Sequence, residues 1–279
     1  MSRAVAILLC AGYGTRMGDL TRTTPKPLLP VADRPVLDYL VDQLVDLPEL
    51  DAVHVVSNHH YSGAFVAWAA ARREDLAERG LDLEVHNDGT LSNADRLGAI
   101  GDLGFVLDRL SESGTAPQRA LVCAGDNILR FSLATLWNRF LSERTSQVLA
   151  MEEKDPTRLR RTGVLELDGD QVVALWEKPA EPPSCWACPS FYALGPDALS
   201  EVGPYLRSGK PADEIGRFIA HLCATQDVQA TKTRGSRLHV GNPQELERAD
   251  TLLRREPVLQ DALNQRALKQ EDALKPVGS

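Results

Sequence analysis

Two cations near the amino terminus, Arg16 and Lys26, stand where chemistry on an anion would need them. They follow an apolar run, Val5 to Cys10, and a small-residue segment, Ala11-Gly12-Tyr13-Gly14-Thr15. Small residues let backbone N–H groups approach an anion without Cβ obstruction. Lys26 is bracketed by Pro25 and Pro27, which exclude helix and imply a rigid extended backbone on both sides. A lysine held that way is better explained as a point charge aimed at a phosphate than as a solvated surface charge. As an incidental strand-to-loop turn, the stretch would need its glycines, threonine, arginine and caged lysine to coincide by chance.

Other residues carry weaker signals. Asp126, in Cys123-Ala124-Gly125-Asp126-Asn127, can reach a metal that bridges ligand phosphates or can simply start a turn. In Trp176-Glu177-Lys178-Pro179, the carboxylate can accept sugar hydroxyls and the lysine can pair with a phosphate. An exposed salt-bridging pair accounts for a bare Glu-Lys equally simply. Asn87 and Thr90 flank Asp88-Gly89 and could hydrogen-bond a base edge, or the segment is an ordinary Asp-Gly turn. Cys185-Trp186-Ala187-Cys188 reads as half a zinc site, with His221 and Cys223 as a conceivable second half. No second Cys-x-x-Cys exists, so structural cysteines are expected; His59-His60 reads as an exposed loop. A dinucleotide fingerprint fits Gly12-x-Gly14, but position 17 is Met and the next glycine, Gly18, comes one residue late. The acidic residue expected after the second strand is also missing, because that strand ends in Ser57-Asn58-His59. A Walker loop is excluded by the lack of Gly-Lys-Ser/Thr. No serine–histidine–acid arrangement announces itself, and phosphoryl chemistry needs none.

The elements that must position these residues alternate. Strands are expected at Val5–Cys10, Ala52–Ser57, Leu81–His86, Arg119–Ala124 and Gln147–Glu152. Between them helices are expected after Asp33-Arg34-Pro35, from a Ser62 cap to Arg79, over Arg96–Leu110 and over Phe131–Leu141. Such alternation predicts a mostly parallel, three-layer sheet whose ligands sit at the carboxyl ends of the strands. Ala11–Thr15, His86–Thr90 and Gly125–Asn127 all lie at such ends. The second half changes character. Gly163–Leu167 and Gln171–Leu175 flank Asp168-Gly169-Asp170, a hairpin signal. Cys188–Leu194 reads as one strand, Pro196–Leu206 and Asp213–Ala224 as helices, Val228–Thr231 and Arg237–Val240 as short strands, and Pro243–Arg255 as a helix.

The 279 residues suffice for one large α/β domain or two small ones. At 43% hydrophobic and 25% charged, the chain has the composition of a soluble globular protein. A net charge of −8 argues against nucleic-acid or anionic-membrane partners. An anionic ligand would therefore need local positive charge or a recruited metal. No signal peptide or membrane span is read, and five scattered cysteines point to a reducing compartment, taken as the cytoplasm.

Taken together, Gly12-x-Gly14-Thr15-Arg16-Met17 and Pro25-Lys26-Pro27-Leu28 resemble the signature of the sugar-phosphate nucleotidyltransferases. The resemblance implies a Rossmann-like three-layer sandwich with a mostly parallel mixed sheet and an inserted acceptor-binding β region. It implies a domain over 1–255, with a nucleotide-binding half at 1–155 and an acceptor-binding half at 156–255. Residues 256–279 are expected to form a helical tail, loosely packed or serving an oligomer contact. The implied reaction joins a nucleoside triphosphate and a sugar 1-phosphate, or a sugar-like cyclitol phosphate, to give an NDP-sugar and pyrophosphate. By the same resemblance Ala11, Gly12, Gly14, Thr15, Asn87 and Gly98 bind the nucleotide; Gly163, Glu177 and Lys178 bind the acceptor; Arg16, Lys26 and Lys178 are catalytic; and Asp126 holds Mg2+. Two positions depart from the family pattern. Arg96 replaces a proline before Leu97-Gly98, and His239 stands where a second metal-binding Asp is expected. The rival readings are a cytidylyltransferase for a non-sugar phosphate or phosphonate, a silent nucleotide-sugar sensor and, distantly, an oxidoreductase.

Overall fold

A computed structural model describes residues 3–255, so the expected tail lies outside the described residues. In chain order the strands are β1 (Ala4–Leu9), β2 (Pro30–Val31), β3 (Arg34–Pro35), β4 (Ala52–Ser57), β5 (Asp82–Asn87), β6 (Arg119–Ala124), β7 (Asn127–Leu129), β8 (Ser146–Glu152), β9 (Gly163–Asp168), β10 (Gln171–Glu177), β11 (Trp186–Cys188), β12 (Phe191–Leu194), β13 (Val228–Thr233) and β14 (Arg237–His239). The helices are α1 (Val36–Leu44), α2 (Ser62–Glu78), α3 (Gly98–Glu112), α4 (Ala134–Glu143), α5 (Pro156–Leu159), α6 (Pro196–Ser200), α7 (Val202–Arg207), α8 (Ile215–Thr225) and α9 (Pro243–Arg255).

Ten strands form one sheet in the order β11-β9-β10-β13-β8-β12-β6-β1-β4-β5. Strand β1 explains why the fold has three layers. Its side chains alternate, as strand geometry requires. Ala4, Ala6 and Leu8 join Leu37, Leu40, Val41 and Leu44 of α1 in one core cluster. Val5 and Ile7 join Ile100, Leu103 and Val106 of α3 in the other. Both faces are buried, so β1 reads as a continuous apolar run. Truncating one of these fully buried leucines to alanine would cost about 2–5 kcal/mol.

The parallel run comprises β6, β1, β4 and β5. The sheet then turns mixed, because β12 enters antiparallel between β6 and β8. The expected hairpin is present as antiparallel β9 and β10, with a register shift between Val172 and Ala174. Three-residue β14 and β7 make a separate small ribbon that pairs His239 with Asn127.

Several local expectations need correction. Asp33 does not cap α1. Ala32 and Asp33 both have positive φ and turn the β2–β3 hairpin, and α1 starts at Val36. Ser62 is not a cap either, since its hydroxyl donates to the His59 carbonyl while Asn58 Oδ1 accepts the Tyr61 N–H. The expected single strand Cys188–Leu194 is two strands separated by Pro189-Ser190, with β11 on β8 and β9 and β12 on β6 and β8. Pro189 has no N–H to give to a ladder, which favours a break there. The expected helix Pro196–Leu206 is likewise split into α6 and α7.

Candidate active site

The glycine segment leaves β1 at the carboxyl edge of the parallel run. Gly14 adopts φ +62, the left-handed region that favours glycine, and a Cβ at Gly12 would meet nothing within 4 Å. Asn58 Nδ2 donates to the Ala11 carbonyl at 2.8 Å, and Thr21 Oγ1 donates to the Gly14 carbonyl at 3.1 Å. The loop is thus fixed from behind and open in front. Gly12, Gly14, Thr15, Arg16, Lys26 and Gly241 line a cleft of about 170 Å³. Arg16 is exposed there and makes no side-chain hydrogen bond among the described residues.

Lys26 is not in the extended chain expected from its flanking prolines. Pro25 is extended, but Lys26–Leu28 make a short 3-10 turn with Pro27 near its start. Proline tolerates that position because its missing N–H would have no helical partner. The Lys26 ammonium pairs with Asp126 Oδ2, and the two side chains are only 15% and 17% exposed. Asp126 follows Gly125, where a Cβ would overlap Cys10 Sγ, so the strand end admits only glycine there. Asn127 Nδ2 donates to Asp126 Oδ1 at 2.8 Å, and Arg237 Nη1 donates to Asn127 Oδ1 at 2.5 Å. Burial pushes the Asp126 carboxyl up, but Lys26, His239 and Arg237 outweigh it and hold it at about 2.

His239 reaches the same centre. Its Nδ1 lies 3.8 Å from Asp126 Oδ2 and is buried with no hydrogen-bond partner among the described residues. Burial lowers its pKa, with Asp126 opposing and Arg237 and Lys26 assisting. Glu245 approaches from α9, yet its carboxylate is engaged: it accepts the Gly241 N–H at 2.8 Å while Asn242 caps the Glu245 N–H at 2.9 Å. An ionised carboxylate with hard oxygen donors suits a divalent cation held mainly by ligand phosphates and water. Asp126 fits that role, and the orphaned His239 Nδ1 adds a nitrogen donor that favours softer divalent ions.

The residues expected to read a base fall beside the glycine loop. Tyr13 Oη lies 3.0 Å from Thr90 Oγ1, tying the two loops together. Thr90 Oγ1 also donates to Asp88 Oδ1 at 2.8 Å, so Thr90 is committed to structure. Asn87 is exposed; its Oδ1 accepts the Gly89 N–H at 2.9 Å and its Nδ2 meets His59 Nδ1 at 3.0 Å. Gly98 has φ +80, and a Cβ there would lie 2.7 Å from the Ala212 carbonyl oxygen. Arg96 forks onto Asp213 at 2.9 and 2.8 Å, anchoring the same 210-region loop. Beneath this edge Asp102 of α3 is pushed up to about 8 by burial and by Asp88.

The acceptor candidates form a second cluster. Glu177 pairs in register with Gly163 across β10 and β9. Its Oε2 lies 3.5 Å from where a Gly163 Cβ would stand and would overlap a Cβ at Gly216 of α8. Burial raises the Glu177 pKa, with Lys178 opposing. Lys178 adopts φ +48, and its ammonium donates to Glu214 Oε1 at 2.5 Å. Glu214 in turn accepts from Arg217 Nε at 2.8 Å. Sequence reasoning missed Glu214 and Gly216, which carry no motif and meet Glu177-Lys178 only through the packing of α8 on β10. Cys185 is exposed, Cys188 buried and Cys223 half-buried, while His221 contacts Lys210 and Glu201. These do not gather into a metal-binding group among the described residues.

The glycine loop and the Lys26–Asp126 pair meet at one edge of the sheet, and a second acid–lysine pair, Glu177 and Lys178, stands at the end of β10. The nucleotidyl transferase family model matches residues 5–256. The chain belongs to this family and is a sugar-phosphate nucleotidyltransferase. It is 27% identical over 264 residues to UTP–glucose-1-phosphate uridylyltransferase AglF of Haloferax volcanii, covering 90% of this chain and 97% of that one. It is 25% identical over 249 residues to the bifunctional protein GlmU of Methanocaldococcus jannaschii, covering 89% of this chain but only 54% of that longer protein. Its fold matches the UTP-bound UGPase of Acinetobacter baumannii with a TM-score of 0.71 at 18% identity, covering 96% and 99% of the two chains. Among the described residues no helix is long and apolar enough to cross a membrane.

Proposed function

We propose that this enzyme couples a nucleoside triphosphate with a sugar 1-phosphate, or a sugar-like cyclitol phosphate, to give an NDP-sugar and pyrophosphate. The observation that carries the reading is the convergence of Lys26 and Asp126 beside the open glycine loop. An acceptor phosphate oxygen attacks the α-phosphorus in line, the new P–O bond forms, and the bond to the β-phosphate oxygen breaks to release pyrophosphate. Backbone N–H groups at Ala11, Gly12, Gly14 and Thr15 cradle the phosphates. Arg16 and Lys26 offset the charge that grows on the leaving pyrophosphate. Lys178 orients the acceptor phosphate, Glu177 accepts sugar hydroxyls, and the Gly163 backbone faces the sugar. Asn87 and Gly98 lie where the base would sit. Asp126 would hold a divalent ion, Mg2+ in the first instance, which supplies charge neutralisation at the phosphates when bound. In this reading residues 1–155 serve the nucleotide, 156–255 serve the acceptor, and the enzyme works in the cytoplasm.

The relative named for UTP and glucose 1-phosphate makes that pair the first to test. Pyrophosphate release should be followed with Mg2+ across dTTP, UTP, CTP, GTP and ATP against phosphorylated sugars and cyclitols. Release that needs one triphosphate and one acceptor together is the expected result. Release with phosphocholine or a phosphonate but no sugar phosphate would replace the sugar with a non-sugar acceptor. Nucleotide binding without any release would turn the enzyme reading into a sensor.

A further inference from the structure

A second cluster of ligand atoms lies away from the catalytic centre. Strands β4 and β5 run parallel with His54 opposite Glu84 and Val56 opposite His86. The strand period of two therefore puts His54, Glu84 and His86 on one face of the sheet. His54 Nδ1 lies 3.0 Å from His86 Nε2 and 3.5 Å from Glu84 Oε2, and His86 Nε2 lies 3.7 Å from the same oxygen. Among the described residues this is the group that brings three such ligands together.

One reading is a plain imidazole pair, with one N–H shared between the rings. It leaves one feature unexplained. Glu84 is aimed at both rings yet stands beyond hydrogen-bond distance of each, and it makes no other hydrogen bond among the described residues. The buried His54 Nε2 has no partner among the described residues and is satisfied by neither reading. The triangle has a better match. With metal–ligand bonds of about 2.0–2.2 Å, tetrahedral coordination sets ligand atoms about 3.3–3.6 Å apart. The three edges found here bracket that spacing. His54 and His86 are 2% and 8% exposed, whereas the Glu84 side chain is 60% exposed and gives the cluster its access to solvent. Burial lowers both histidines, His54 to about 3, so neutral imidazole is the resting form and no proton competes for the donor nitrogens at neutral pH. At His86 the Glu84 charge opposes that of Arg109, while Arg3 acts on His54.

We propose that His54 Nδ1, His86 Nε2 and Glu84 Oε2 form a site for a divalent transition metal of the zinc class, with a fourth position open to water. Two imidazoles and one carboxylate select zinc, cobalt or nickel over magnesium and calcium. The ion would clamp the edge strand β5 to β4, directly before the Asn87–Thr90 loop. The inference does not depend on the identity of the nucleotide or acceptor.

The test uses the full chain after chelator dialysis, titrated with Co2+ alone and then with Zn2+. One equivalent of Co2+ should give the visible bands of a four-coordinate site, and Zn2+ should quench them and raise Tm. Glu84→Gln, an exposed position, should weaken Co2+ binding by more than the roughly 10–100-fold that losing an outer hydrogen-bond partner costs. His86→Gln should abolish it, and Asp126→Ala should leave it intact. Absence of saturable Co2+ binding, or full retention of the bands in Glu84→Gln, would overturn the assignment even if His86→Gln failed to fold.

Discussion

The proposed nucleotide side and the proposed acceptor side both present a lysine beside a carboxylate, but they hold it differently. Lys26 and Asp126 are mostly buried, and Asn127, Arg237 and His239 surround the carboxylate. Lys178 is half exposed and already occupied by Glu214, which is shared with Arg217. A buried pair is stiff and sensitive to loss of either partner, because the other is left as an unpaired charge. An exposed pair is worth little to stability and exchanges readily. In the proposed reaction this contrast would make the nucleotide side preorganised, and Lys178 would leave Glu214 when an acceptor phosphate arrives.

Substitutions can break this contrast. Lys26→Met should lower turnover by about 10²–10³, the scale of losing one preorganised charge donor. Unlike a surface lysine, it should also cost roughly 1–3 kcal/mol of stability, because Asp126 loses its main counter-charge. Steady-state kinetics and denaturant melts check both, and wild-type stability would mean that Asp126 is compensated by its remaining neighbours. Lys178→Ala should raise the acceptor KM about tenfold or more with little change in Tm; an effect confined to the triphosphate KM would move Lys178 to the other substrate. Gly216→Ala forces a Cβ onto Glu177 Oε2, so acceptor KM should rise several-fold while triphosphate KM stays put. Glu214→Gln should act in the opposite direction and modestly, lowering acceptor KM by a few-fold as Lys178 is freed. An increase instead would make Glu214 a positioning residue rather than a competitor.

The smallest effect concerns pH. Asp102 has its carboxyl raised from an ordinary 3.8 to about 8 by burial and by Asp88. Between those values the folded protein keeps a proton that the unfolded chain has lost, so this group makes stability fall as pH rises from about 4 to 8. Asp102→Asn should remove that slope and raise Tm relative to wild type more at pH 8 than at pH 5. Parallel Tm–pH curves for the two proteins would show that Asp102 ionises normally.

The residues of the proposed nucleotide side stood out in the sequence because their signals are local. Gly12, Gly14 and the Pro25-Lys26-Pro27 cage lie within one short stretch, and Gly125-Asp126 closes a clear apolar strand. Lys26 sits in a 3-10 turn rather than extended chain, a distinction that proline's fixed φ alone does not settle. The proposed acceptor side stood out only in part. Glu177-Lys178 stood out after the hairpin, but Glu214 and Gly216 lie one helix away, and only tertiary packing brings them there. The same limit hid the His54–Glu84–His86 triangle, whose members sit on two different strands. The break at Pro189-Ser190 was visible as residues, yet the apolar run from Phe191 to Leu194 after Cys188 outweighed it.

The most direct measurement follows the α-phosphorus. UTP labelled at that atom is incubated with glucose 1-phosphate and Mg2+, and products are separated for wild type and Lys26→Met. The proposed chemistry predicts label in UDP-glucose, one pyrophosphate per label transferred, and at least a hundredfold slower transfer in the variant. Label released as free UMP, or transfer at the wild-type rate in Lys26→Met, would contradict it.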